Sequence, residues 1–201
     1  MARPAAQPAE VGPRSTERFR EIFSAESSYV WNVLRRLGVR GADVQDLAHE
    51  VFVILYRHLH DATFDATRPL RPWLAATAFR VASVHRRAAI ERREVLDGEV
   101  VAAAVDERAD PERLVAAERD RALVLRALEA IEPERRVVFI LHDIDEQPMN
   151  VVAEALAIPL NTGYSRLRLS RDEFRAAVLR LRPELDRRPS ATRAVGTRGR
   201  R

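Results

Sequence analysis

Apolar residues along this chain recur three and four positions apart almost throughout, the period of helices that bury one face. Phe19, Ile22, Phe23, Val30, Val33, Leu34 and Leu37 form one such run. Gly38 is placed to end it, because glycine readily takes the left-handed conformation that closes helices. A second run, Val44, Leu47, Ala48, Val51, Phe52, Leu55 and Leu59, predicts another helix with Asp43 as its cap. From Asp61 to Pro72 the period is lost and two prolines appear, so a loop is expected. Pro72 suits the first turn of a third helix running through Trp73 to about Ile90. Further on, Leu123, Val124, Ala127, Leu128 and Ile131 predict a helix stopped by Glu132-Pro133, and Glu134 to His142 predicts one more. Nothing alternates in the manner of a strand, and no repeat is visible. The fold class is all-α.

The run from Met149 to Arg168 is the most telling segment. It predicts a short helix, a tight turn at Ala157 to Leu160, and a second helix opening at Asn161, whose side chain is positioned as a cap. Val152, Leu156 and Ile158 are expected to bury between the two helices, with small Ala153 allowing close approach. Tyr164, Arg168, Arg171 and Arg175 fall on one stripe of the second helix. A basic, aromatic-tipped stripe on the second helix of such a pair is what reading a DNA major groove requires. The same pattern also describes a helical hairpin with a solvated arginine face.

Charge divides the chain. All 34 basic residues are arginine, whose planar fork suits phosphates and base edges. The net charge of +4 is modest, but residues 94–112 hold seven acids against one arginine, while residues 182–201 hold seven arginines against two acids. The expected organisation is therefore two small helical domains joined by an acidic linker. Residues 1–15 form a disordered extension, 16–93 a first domain, 94–112 the linker, 113–181 a second domain with the helix-turn-helix, and 182–201 a basic disordered tail.

Several function classes are excluded by what is missing. With no cysteine there are no disulfides, thiolate metal sites or cysteine nucleophile. His49-Glu50 lacks the second histidine of a zinc-protease helix, since Val53 stands there. His58, His60 and Asp61 have no further ligands beside them and suit a surface better than a metal site. No glycine-rich phosphate loop is present. An enzyme is not expected, nor any cofactor or metal. No apolar run approaches the roughly 18 residues of a membrane span, and no signal core precedes the first helix, so a cytoplasmic protein is expected.

Two ordered blocks carry a resemblance. The first is Leu37-Gly-Val-Arg-Gly-Ala-Asp-Val-Gln-Asp-Leu-Ala-His-Glu-Val-Phe52, followed by Trp73-Leu and His85-Arg-Arg87. The second is Ala127-Leu-Glu-Ala-Ile-Glu-Pro-Glu-Arg-Arg-Val-Val-Phe139, then the helix-turn-helix ending Ser165-Arg-Leu-Arg-Leu-Ser-Arg171. Over roughly Phe19 to Val178 the chain resembles an extracytoplasmic-function (ECF) sigma factor of bacterial RNA polymerase. The resemblance implies that it binds the polymerase core, directs it to promoters and assists melting. Bacterial core polymerase and promoter DNA are then its partners, with room for an anti-sigma factor, and it acts in the cytoplasm, at the nucleoid when bound to polymerase. A helix-turn-helix regulator that does not program polymerase remains the alternative.

The resemblance also implies roles for residues. Asp46, His49, Glu50, Val53 and Arg57 on the second helix would meet the polymerase core. Asp61, Thr63, Phe64 and Asp65 would line a pocket for an extruded minus-ten base, with Arg80, Arg86 and Arg87 on the backbone. Asn161, Thr162, Tyr164, Ser165, Arg166, Arg168 and Arg171 would contact the minus-thirty-five duplex, Arg166 and Arg171 on phosphates. Trp73 suits the core better than base stacking. Three positions depart from the family pattern: Ala157 stands where a turn glycine is usual, His49 where glutamine is common, and Gly163 where an apolar residue is usual. On this reading Gly163 leaves a space that valine would fill, stabilising the second domain.

Overall fold

The computed structural model describes residues 13–60, 68–93 and 111–186, and all regular structure among them is helical. The elements are α1 (Pro13–Arg36), α2 (Gly41–Leu59), α3 (Leu70–Arg93), α4 (Pro111–Glu129), α5 (Pro133–Phe139), a π-helical turn (Ile140–Ile144), α6 (Met149–Leu156) and α7 (Leu160–Asp186). Several boundaries differ from expectation. α1 begins at Pro13, ahead of the expected edge at Thr16, and α4 begins at Pro111, inside the strip read as linker. α7 continues to Asp186, so residues 182–186 are helical where a tail was expected.

Local chemistry explains the helix ends. Gly38 sits at φ +86; its N–H donates to Arg35 O and the Val39 N–H to Leu34 O, the paired bonds of a Schellman close. Asp43 does not cap α2: Arg40 holds that position with no side-chain bond, and Asp43 lies within the first turn, where its charge still suits the helix dipole. Glu132 caps α5, its carboxylate accepting from the Glu134 and Arg135 N–H groups. Asn161 is not a cap either. The Gly163 N–H donates to Pro159 O, so α7 opens one residue earlier than expected and Asn161 lies in its first turn. The helix expected over Glu134 to His142 is α5 run on into the wider π turn, whose Asp145 N–H reaches back five residues to Ile140 O.

α1, α2 and α3 pack on one another around Val30, Val33, Leu34, Leu37, Val44, Val51, Leu55 and Leu74, all essentially fully buried. Each such side chain contributes about 1.5–3 kcal/mol by leaving water. Phe19, Phe23 and Phe52 close one end edge to face, with Tyr56 against Phe19. In the other half, α4 and α5 both pack on α7, and α6 completes the helix-turn-helix against it. The two halves do not stand apart. Leu128, Ile131, Val137, Ile140, Leu141 and Val152 join the same continuous core as α1–α3, and α6 lies directly on α3.

Candidate nucleic-acid interface

α6 and α7 meet as the pattern required. Val152 and Ala153 are buried, and Leu156 and Ile158 are half-buried against the core. The turn between them puts Ala157 at φ +54, with its N–H donating to Glu154 O and the Ile158 N–H to Ala153 O. A left-handed residue carrying a Cβ is strained, so a glycine there would sit more easily.

Gly163 does not lie beside a space. It is buried, and a Cβ built on it would stand 2.7 Å from the Met149 sulfur and 3.5 Å from Met149 Cγ. The thioether fills the room that an apolar side chain would take, so the expectation that valine fills a hole is corrected. Gly163 is fitted to Met149.

The outward stripe of α7 carries Asn161, Tyr164, Ser165, Arg168, Arg171 and Arg175, all exposed, with Tyr164 54% accessible. Arg168 has no carboxylate partner among the described residues. The two arginines assigned to phosphates are engaged instead. Arg171 makes a two-pronged ion pair with Asp143 on the π turn, at 2.8 and 2.7 Å. That pairing holds the Asp143 carboxyl below its ordinary range and raises the guanidinium. Arg166 turns away from the stripe to pair with Glu134 on α5, and Thr162 is half-buried beside it. Sequence spacing could not reveal either carboxylate, since each lies about 30 positions away on a different element.

On α3 the three arginines separate. Arg80 and Arg87 are exposed and seven residues apart, hence on one face. Arg80 donates to Thr77 Oγ1 at 3.0 Å, and partial burial lowers its guanidinium pKa. Arg86 points to the other side, into a cleft of about 330 Å³ shared with Gly38, Asp43 and His85. Asp61, Thr63, Phe64 and Asp65 lie outside the described residues. Trp73 is half-buried and stacks on His58 with ring centres 4.6 Å apart, in keeping with a packing role.

α2 turns Val44, Leu47, Ala48, Val51, Phe52 and Leu55 inward. Asp46, His49, Glu50 and Arg57 are exposed on the opposite face, with Val53 half-buried among them. The helix packs on α1 and α3, which leaves that acidic face turned outward.

Residues that sequence reasoning missed join the halves. Asp145 accepts a 2.7 Å hydrogen bond from the Tyr29 hydroxyl and pairs with Arg36 at 3.0 Å. Burial is the main reason the Tyr29 phenol is pushed far above its usual range. Arg71 lies over the Tyr29 ring and is held by Glu26. Arg136 is buried, and its guanidinium donates to Leu37 O at 2.7 Å, Glu129 O at 2.8 Å and Ile131 O at 2.9 Å. These are orphan carbonyls at the ends of α1 and α4, where the helix dipoles favour a cation. Desolvation lowers its pKa to about 10, so it stays charged at neutral pH.

The chain thus carries a three-helix unit with an acidic outer face, followed by a helix-turn-helix with a basic one. The sigma-70 region 2 family matches residues 22–91. The ECF RNA polymerase sigma factor SigJ of Mycobacterium tuberculosis is 30% identical over 138 residues, a match covering 67% of this chain and 43% of that protein. The ECF RNA polymerase sigma-E factor of Escherichia coli is 26% identical over 141 residues, covering 67% of this chain and 73% of that protein. The chain thus spans less than half of the mycobacterial relative. Among solved structures, CnrH in complex with the cytosolic domain of CnrY aligns with a TM-score of 0.59 at 19% identity, over 82% of this chain and 90% of that one, a likeness of fold. The chain belongs to the ECF sigma factors. No helix among the described residues is long and apolar enough to cross a membrane.

Proposed function

We propose that this protein is an RNA polymerase sigma factor that directs the core enzyme to specific promoters and assists their melting. The observation that carries the reading is the pairing, in one chain, of an outward acidic stripe on α2 with an outward basic stripe on α7. A helix-turn-helix regulator that leaves polymerase alone has use for the second stripe and none for the first. Residues 16–93 then act as the domain for core and minus-ten binding, and residues 113–181 as the domain for the minus-thirty-five element. Asp46, His49, Glu50, Val53 and Arg57 meet the polymerase core. Arg80 and Arg87 hold the minus-ten strand, joined by Asp61, Thr63, Phe64 and Asp65. Asn161, Tyr164, Ser165 and Arg168 approach base edges, while Arg171 reaches a phosphate once it exchanges Asp143 for DNA. The protein works by binding, and the chemistry is the polymerase's. Its place of action is the cytoplasm, at the nucleoid when polymerase-bound, and an anti-sigma factor is a further partner.

Transcription reconstituted with bacterial core polymerase and a promoter library tests this. The expected result is a discrete set of transcripts that depend on the added chain and share two spaced elements. Duplex binding without such transcripts would replace this reading with the regulator.

A further inference from the structure

Arg86 faces away from Arg80 and Arg87 on α3 and takes no part in holding the minus-ten strand. Its setting is unusual for this chain. Arg36, Arg135 and Arg166 are half-buried as Arg86 is, and each pairs with a carboxylate. Arg86 has no carboxylate partner among the described residues. Its neighbouring charge is another cation. Buried Arg136 lies against Gly38, which lines the same cleft. After desolvation, the nearness of Arg86 is the next cause that lowers the Arg136 pKa, with Glu129 and Glu132 acting the other way. A half-buried cation that faces a cation is costly until an anion joins it.

The rest of the cleft says which anion. Its volume of about 330 Å³ falls within the range of small-molecule sites. Arg40 stands on the rim at the start of α2, which no side chain caps, so the positive end of that helix adds to the field. Val39, Ala82, Ala89 and Ile90 form an apolar wall, and Ile90 is 54% exposed, open to a flat ring. Asp43 is the one acid among the described lining residues, with its carboxylate 4.0 Å from His85 Nε2. A track for a nucleic-acid backbone has no use for a carboxylate, which repels phosphates. Beside cations and an apolar wall, however, a carboxylate can accept from ribose hydroxyls.

We propose that this cleft is a binding site for a nucleoside polyphosphate, with its phosphates on Arg40 and Arg86, its ribose on Asp43 and its base against Ala89 and Ile90. The site joins the turn after α1, the start of α2 and the end of α3, so an occupant ties three elements together and stabilises the fold. Binding is read on the chain alone, so the outcome is independent of the sigma-factor reading.

Calorimetric titration of the full chain with ATP, GTP, AMP and inorganic pyrophosphate, without divalent cations, is the test. One triphosphate should bind per chain, about tenfold or more tightly than AMP or pyrophosphate, because each added phosphate brings charge-assisted bonds. It should also raise the thermal midpoint. Arg86→Gln should weaken triphosphate binding about tenfold. The wild-type chain should prefer ATP to its 2′,3′-dideoxy form, and Asp43→Asn should erase that preference. Arg20→Gln, exposed in the first half of α1, removes the same charge elsewhere and should bind as wild type. A single-stranded promoter oligonucleotide, the other source of phosphates, should keep its affinity in Arg86→Gln and leave bound nucleotide in place. Absence of triphosphate binding at millimolar concentration overturns the proposal, as does unchanged affinity in Arg86→Gln or an equal loss in Arg20→Gln. So does a ribose preference that is missing from wild type or persists in Asp43→Asn. An oligonucleotide that depends on Arg86 and displaces the nucleotide would give the cleft to the promoter backbone instead.

Discussion

Ala157 and Gly163 are a mismatched pair of neighbours. Ala157 holds φ +54 and ψ 45 with a Cβ it does not need, at a cost of about 1–2 kcal/mol. Ala157→Gly should therefore stabilise the chain by about 1 kcal/mol after the entropy glycine adds to the unfolded state, read as a higher urea midpoint with an unchanged slope. Gly163 runs the other way. Its helix position alone argues for replacement, since glycine costs about 1 kcal/mol against alanine there. But Met149, 97% buried, has its sulfur where the new Cβ would go. Gly163→Val should destabilise by about 1–3 kcal/mol through overpacking. In a Met149→Ala background the penalty should shrink, because the two side chains compete for one volume. Additive penalties in thermal unfolding would show that Met149 is not the obstacle.

At the scale of elements, α2 and α7 each bury one face and offer the other. Asp46→Arg with Glu50→Arg changes only the outward face of α2, so helicity should hold while association with core polymerase is lost, as co-purification would show. On α7, Arg168→Ala should cost about 1–3 kcal/mol and relax preference at one base pair in a selection from a sequence library. Arg171→Ala should weaken all duplexes alike and flatten the salt dependence. The helices themselves were legible in the chain because their apolar spacing is regular and their stops are glycine or Glu-Pro. The edges were not. Asp43 and Asn161 have the right chemistry for caps but each lies within the first turn of its helix, because Arg40 and Pro159 supply the first accepting carbonyl. The pairing of Arg166 with Glu134 and of Arg171 with Asp143 was equally hidden, since spacing along one helix says nothing of the carboxylates that face it.

For the whole molecule, the sequence separates two helical units and their charges without indicating that they share a core. That fact resides in residues with no periodic signature. Tyr29, Arg36, Arg136 and Asp145 all stand off the apolar positions that mark the helices. Only the fold brings Arg136 to the spent ends of α1 and α4, where three carbonyls lack helical partners. The organisation into acidic-faced and basic-faced units was thus accessible from pattern and composition, while their mutual packing depends on contacts over a hundred positions apart.

Gly38 brings these scales together. A Cβ at this position would stand 2.6 Å from Arg136 Nη1, on a backbone already at φ +86. Gly38→Ala would strain the close of α1 and drive a wedge between Arg136 and the Leu37 carbonyl. Because Arg136 belongs to α5, the injury would not stay at the end of α1. Gly38→Ala should lower the thermal midpoint of the whole chain, and Arg136→Ala added to it should recover little, since the left-handed backbone strain remains. A melting curve that kept a single step at a lower temperature would show that one hydrogen atom at this bend is a keystone for both halves.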